Sequence, residues 1–478
     1  AVAVKPLLDR PPQPVEPAVL RFASSDSYLT LRFPNRVEAF VRPFATQDDG
    51  PRVVVAAAFL GPQLLETAET WPAAHTLWSF TRFPTIEGMT PAEFRAALDR
   101  RGVALDVSMD ENWLVFRAEA QLDGLDGALA AVHALARSGR VDDASLASIM
   151  ESHAAIDAAT ATRPEFAPEK ALLRAAEAVG DVRTRAPDAA DFVRVDRDDA
   201  QRALRRSLDG PVSIAVVGEV DAREAARAIS VYVGSLPARE HAPSAELMTA
   251  LALDADRPDE LRRVEPSPLA GETGVIIRGY VAPETDPHTA NGRGPTANAN
   301  VPSDAVAAED GSGVAQQSAA ARRAALEVAM RLLDERVERA LSGGVARHRV
   351  RIRYERHPGP LTLPIAAVEV AGPTDRVAES ARAVDAAFRA LAERPPSHAE
   401  FDRARWTALE RLERVQRSAE AAAVALALGR FEPRRHSDRW PELADELRRL
   451  EPAGVTAAIR DLISRGRPVE ITLGADAD

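Results

Sequence analysis

Val193-Arg194-Val195-Asp196-Arg197-Asp198-Asp199-Ala200-Gln201-Arg202-Ala203-Leu204-Arg205-Arg206-Ser207-Leu208-Asp209-Gly210-Pro211-Val212-Ser213-Ile214-Ala215-Val216-Val217-Gly218-Glu219-Val220-Asp221 carries the unit from which the fold is read. A second copy of its plan runs from Leu450 through Val455-Thr456-Ala457-Ala458-Ile459-Arg460-Asp461-Leu462-Ile463-Ser464-Arg465-Gly466-Arg467-Pro468-Val469-Glu470-Ile471-Thr472-Leu473-Gly474-Ala475 to Asp476. In each, an amphipathic helix leads through a Gly/Pro turn into an apolar strand ending in glycine and an acid. Setting Pro211 on Pro468 places the copies about half of the 478 residues apart. Self-similarity at a fixed spacing outranks local signals, so the expectation is two related lobes.

The rest of each half follows the same plan. Tyr28–Pro43, Arg52–Gly61, Gly102–Val107 and Trp113–Ala120 have strand length and pattern. Helical periodicity covers Pro72–Phe80, Thr90–Arg101, Gly124–Ser138 and Asp142–Ala159, and Thr90-Pro91-Ala92-Glu93 is a strong helix start. In the second half, strands are expected at Gly274–Val281, Arg347–Tyr354 and Pro364–Val370. Helices are expected at Ala319–Leu341, Pro373–Ala392, Ser397–Leu428 and Trp440–Leu450. Strand pairs separated by helices, without strict alternation, indicate an α+β fold. Each lobe is then a mostly antiparallel sheet covered on one face by helices, the two facing each other as a clamshell. The expected division is a Pro-rich N-terminal spacer at 1–24, a first lobe at 25–237, a linker at 238–272 and a second lobe at 273–478, with an insertion at 283–317.

Composition narrows the function classes. Hydrophobic residues at 46% and charged residues at 28% describe a globular chain of about two to four core-sized units. No apolar run nears the roughly 18–20 residues that span a bilayer; Val53–Leu60 has strand length. The net charge of −12 argues against nucleic acid, whose phosphates need a cationic surface. Lys5 and Lys170 are the only lysines among many arginines, the mark of a GC-rich bacterial genome. With no cysteine, thiol catalysis, disulfides and Cys-ligated metals are excluded, and an oxidising compartment is suited. The chain opens on Ala1 without a signal-peptide pattern, which fits a mature exported chain or an altered start. Periplasmic or cell-envelope placement is expected, with a cytoplasmic one as the alternative. Pro11-Pro12-Gln13-Pro14-Val15-Glu16-Pro17 reads as an extended spacer, a tether or a disordered terminus.

Several stretches resemble the pitrilysin/insulinase family of zinc peptidases, which includes mitochondrial processing peptidase and respiratory-complex core subunits. Phe33-Pro34-Asn35-Arg36-Val37-Glu38-Ala39-Phe40-Val41 is similar to the family's opening hairpin, with Arg36 where glycine is usual. Phe59-Leu60-Gly61 with Glu66 resembles a strand-end marker, and Gly102-Val103-Ala104-Leu105-Asp106-Val107-Ser108-Met109-Asp110 a later strand. Val216-Val217-Gly218-Glu219-Val220-Asp221 and Val233-Gly234-Ser235-Leu236-Pro237 resemble the markers that close the first half. No piece is specific alone; their order over most of the chain is.

The resemblance implies a His-x-x-Glu-His zinc motif, two imidazoles at i and i+4 with a glutamate that takes a proton from metal-bound water. The matching stretch is His75-Thr76-Leu77-Trp78-Ser79. Trp78 stands at the general base and Ser79 at the second ligand. Indole accepts no proton and serine is a poor zinc ligand. The third ligand of the family falls near Ala155, with Glu151 one turn earlier and His153 nearby. His75 is expected as a relic packed beside Trp78, and His75, Trp78, Ser79 and Glu151 together as a degenerate metal site. No zinc or other cofactor is expected. The family's substrate-holding Arg/Tyr pair would match Arg339 and Ala346, so only Arg339 remains as a possible substrate contact, with Tyr354 further along the strand.

Gly343-Gly344 is not set as a phosphate loop, and Ser79, Ser342 and Ser397 lack a nucleophile elbow. Arg430, Arg434, Arg435 and His436 form a small basic cluster, weak support for a polyanion. The expected function is a non-catalytic, pseudopeptidase subunit that pairs with a zinc-bearing homologous peptidase as a heterodimer enclosing peptides. The alternatives are a scaffold subunit of a cell-envelope or energy-converting assembly, and an active zinc metallopeptidase with rearranged ligands.

Overall fold

The duplication is written in the strand order. The computed structural model describes residues 5–23, 28–45, 52–110, 112–162, 168–175, 177, 181–239, 241, 247, 251, 261–266, 273–281, 319–341, 349–354, 365–373, 376–431 and 439–475. The first half contains β1 Val19–Ala23, β2 Tyr28–Arg32, β3 Glu38–Pro43, β4 Arg52–Leu60, β5 Ala104–Met109, β6 Trp113–Gln121 and β7 Val212–Gly218. Its helices are α1 Trp78–Arg82, α2 Pro91–Asp99, α3 Leu125–Ser138, α4 Asp143–Thr162, α5 Pro168–Ala175, α6 Ala189–Phe192, α7 Arg197–Asp209 and α8 Ala222–Tyr232.

The second half contains β8 Leu261–Pro266, β9 Thr273–Val281, β10 Arg349–Tyr354, β11 Ile365–Pro373 and β12 Arg467–Ala475. Its helices are α9 Ala319–Leu341, α10 Val377–Glu393, α11 His398–Gln416, α12 Ala419–Gly429, α13 Arg439–Arg449 and α14 Pro452–Arg465. One sheet runs β1-β2-β3-β7-β4-β6-β5 and the other β10-β11-β9-β12-β8. Read from β3 and from β8, the two orders match strand for strand. The first pair is parallel in both sheets and the next three are antiparallel.

The structure corrects the register of the duplication by one residue. In β7, Val212, Ile214 and Val216 join the core under α3 and α8. In β12, Val469, Ile471 and Leu473 face the other way, toward α5. Aligning Pro211 with Pro468 therefore puts equivalent residues on opposite faces, because side chains alternate along a strand. Aligning Gly210 with Gly466, the residues that cap α7 and α14, restores the match and also pairs Gly218 with Gly474.

Helices α3, α7 and α8 lie on one face of the first sheet, as α9, α10 and α14 do on the second. The sequence reading left the opposite faces bare. Each is covered by a helix from the other half. Ala422, Ala423, Leu426 and Ala427 of α12 pack on Val54, Ala56 and Ala58 of β4 and on Ala215 and Val217 of β7. The run of alanines lets the helix backbone lie close to the sheet. In return, Ala171, Leu172 and Ala175 of α5 cover Val275, Ile277, Val469, Ile471 and Leu473. Each lobe thus completes the core of the other.

Three expectations need correction here. The helix expected over Ser397–Leu428 is broken. Ser418 accepts the Ala421 N–H and starts α12 afresh, which turns it onto the first sheet. The expected linker contains β8, an edge strand whose charged residues Arg262, Arg263 and Glu265 hide its period, as edge strands often do. The expected spacer contains β1 and is tied down elsewhere. Leu7 is buried in the first lobe's core, Lys5 meets Gly88 O and Glu93, and Val15 N–H donates to Ser230 O. The 283–317 insertion, Gly343-Gly344, Ala346 and Arg434–His436 lie outside the described residues. Among the described residues no helix is long and apolar enough to cross a membrane.

Arg430, read as part of a basic cluster, has a structural task. It follows α12 and pairs with the buried Glu38 of β3, its Nη2 2.9 Å from Oε1, while Arg32 approaches the same carboxylate at 2.8 Å. Beside it Phe431 meets Trp113 with ring centroids 5.0 Å apart. Arg430→Ala is expected to lower stability by about 1–2 kcal/mol, since Arg32 still neutralises part of the buried charge. Urea unfolding checks this; an unchanged midpoint would show that the pair is idle.

Candidate functional site

The site grows from the end of β4. Gly61 turns the chain where a Cβ would come within 2.5 Å of the Asn112 backbone, so only glycine fits. A 3-10 turn at Gln63–Leu65 follows, then Glu66, then a second 3-10 turn at Ala73–Leu77 that runs into the five-residue α1. The expected helix over Pro72–Phe80 is therefore mostly a tighter coil. Two hydroxyls favour it: Thr76 Oγ1 donates to Ala73 O at 2.7 Å, and Ser79 Oγ to Thr76 O at 2.8 Å. At three residues per turn, positions i and i+4 no longer share a face. Neither the residue types nor the backbone are those of a His-x-x-Glu-His helix.

His75, Trp78 and Ser79 accordingly go to three environments. The His75 side chain is 14% exposed, Trp78 is 45% exposed and Ser79 is fully buried. The polar partners of His75 are Gln63 and Glu66. The Gln63 amide nitrogen donates toward His75 Nδ1 at 2.7 Å. Glu66 Oε1 accepts the Ala74 N–H at 2.7 Å, while Oε2 is buried 3.8 Å from His75 Nε2 and accepts no hydrogen bond among the described residues.

This contact is not an ion pair. Burial pushes the Glu66 carboxyl up to about 8, against the Ala74 N–H and the Arg206 charge, which favour the ionised form. Burial also drives the His75 ring down to about 3, helped by His153. At neutral pH the pair holds a protonated acid beside a neutral imidazole. His153 reaches this neighbourhood from α4, where it stacks on Phe192 at 4.6 Å. Glu151, also on α4, is exposed to solvent. Arg339 sits near the end of α9, its side chain 62% exposed and 3.5 Å from Glu400.

The structure thus brings together His75, Glu66, Gln63 and His153, and leaves Trp78, Ser79, Glu151 and Arg339 apart from them. Gln63 and Arg206 were not legible in the sequence, His153 stood out only beside the expected third ligand, and Glu66 only as a strand-end marker. A loop joins Glu66 to His75, so no periodic spacing signals their contact. The donor set does not suit a catalytic zinc, which takes three protein ligands and leaves a place for water. His75 and Glu66 supply two, the Ser79 hydroxyl is committed to backbone, and Glu151 faces out. Among the described residues no three His, Asp or Glu side chains are grouped to hold a metal.

No protein-family profile and no curated protein matches the sequence. Solved structures do match, and they give the chain the fold of the M16 peptidases, the pitrilysin-like two-lobed clamshell that the sequence resemblance implied. The periplasmic protease PqqL from Escherichia coli superposes with a TM-score of 0.71 at 12% identity, over 98% of this chain and 48% of that one. A peptidase M16 inactive domain from Pseudomonas fluorescens gives 0.69 at 12% identity, covering 94% of this chain and 98% of that one. A protease from Helicobacter pylori gives 0.67 at 10% identity, over 94% and 99%. The chain spans about half the length of PqqL and nearly all of the other two.

Proposed function

We propose that this chain is a pseudopeptidase, a degenerate relative of the pitrilysin-type enzymes that pairs with a zinc-bearing homologue to enclose peptides. The reading rests on the 3-10 turn at His75–Ser79, where an outward indole and a backbone-bonded hydroxyl replace the base and second ligand. Water activation at such a site lacks a full set of three metal donors and the proton acceptor beside them. The same fold in an inactive domain, and in half of the longer PqqL chain, supports a unit built to work beside a second one. The contribution of this chain is shape, surface and stability of the chamber. A periplasmic place fits the absence of cysteine and the periplasmic PqqL.

Metal analysis of the purified chain, with identification of what copurifies, tests the proposal. Less than a tenth of an equivalent of zinc and recovery of an intact zinc peptidase are expected, roughly what an absent site gives. One equivalent of zinc with peptidase activity abolished by His75→Ala refutes it. Recovery of a large assembly without any peptidase points to a scaffold subunit instead.

A further inference from the structure

On the far side of the first lobe from α12, the structure leaves a groove of about 760 Å³ between the N-terminal end of α3 and the length of α8. Its size lies within the roughly 300–1,000 Å³ of binding clefts. Leu122, Leu125, Val220, Ala228 and Val231 supply apolar lining. Leu122 is 41% exposed, one of few large apolar side chains of the described residues left in water. Isolated exposed leucines are unremarkable, but one that lines a concave surface adds apolar area to it.

Asp123 and Asp126 line the groove from the α3 side, and Asp221 and Glu224 from the α8 side, against the single cation Arg227. Capping accounts for one of these acids: Asp221 accepts the Arg223 and Glu224 N–H groups at 3.0 and 2.9 Å. The carboxylates of Asp123, Asp126 and Glu224 have no hydrogen bond or ion pair among the described residues. Elsewhere acids on exposed helix faces commonly have an arginine at hand, as Glu410 has Arg414 and Asp445 has Arg448. Apolar lining flanked by Asp123 and Asp126 on one side and Glu224 on the other, all three without a partner among the described residues, selects one chemistry. The complement is a segment with apolar residues on one face and Lys or Arg at its flanks.

We propose that this groove docks a basic amphipathic segment of a partner protein. The apolar face of the segment covers Leu122 and Val231, and its cations meet Asp123, Asp126 and Glu224. The site is separate from the His75 region and does not depend on the pseudopeptidase reading.

Fluorescence anisotropy with a labelled Leu/Lys peptide written in helical period tests it on the full chain. A chain of net charge −12 attracts any cationic peptide, so the comparison is between variants that remove equal charge. Asp126→Asn/Glu224→Gln is expected to weaken binding about tenfold, and Leu122→Ser several-fold, while Glu410→Gln/Asp445→Asn changes it less than about twofold. These changes are small and exposed, and circular dichroism verifies that each variant is folded. Equal weakening by both charge-removing variants, no weakening by either, or no effect of Leu122→Ser overturns the proposal.

Discussion

Replacing Glu66 by glutamine is expected to raise stability by about 5 kcal/mol at pH 8.5 and to leave it unchanged below pH 4.5. The folded carboxyl holds its proton to about 8, against 4.5 in an exposed chain. Between those values the folded state binds the extra proton, so stability falls as pH rises, by about 1.4 kcal/mol per unit. Above about pH 8 the full penalty is present, because the carboxylate is then ionised in an apolar place. Glutamine keeps the acceptor for the Ala74 N–H and never ionises. His75 acts in the opposite sense. Its folded value lies near 3 against 6.5, so its contribution is complete above pH 6.5 and is lost as pH falls toward 3. The pair together gives a stability plateau between about pH 4.5 and 6.5, with a fall on either side. Chemical denaturation of wild type and Glu66→Gln from pH 3 to pH 9 reads both limbs. Curves that keep a constant separation between pH 5 and pH 8 would show that Glu66 is ionised in the folded protein, and with it that the site keeps a charge able to attract a cation.

Leu426→Ala is expected to cost about 3 kcal/mol, the usual range for deleting a buried leucine side chain. Leu426 is fully buried between α12 and the first sheet, although it belongs to the second half of the chain. Its effect should therefore appear in both lobes. Amide exchange in β7 and in β12 should quicken together, because α12 and α5 make each core part of the other. Leu172→Ala in α5, facing the second sheet, should give the mirror result. Faster exchange confined to one sheet would mean that the lobes unfold separately and that the helix exchange adds little cooperativity.

That Trp78 offers no proton acceptor and Ser79 no imidazole was legible without coordinates, because residue type alone decides it. The backbone's departure was not. Whether Ala73–Leu77 winds as an α-helix or a 3-10 turn depends on competing hydroxyl bonds from Thr76 and Ser79, and both windings share an apolar pattern. Glu66 is legible in the sequence only as a strand-end marker, for a related reason. Its partner lies across a loop, and its protonation is set by burial, which no local pattern reports.

Sequence alone determined that this chain makes two related α+β lobes, since helix–turn–strand units with matching periodicity recur half a chain apart. It also determined that positions 78 and 79 carry an indole and a hydroxyl, neither a carboxylate nor an imidazole, since chemistry follows side-chain type. Tertiary structure decided the register of the repeat, because one residue of slip inverts a strand's faces. It decided, too, that α5 and α12 cross between lobes. An alanine-rich helix buries its small side chains against whichever sheet face is left uncovered, and only the folded chain shows which face that is.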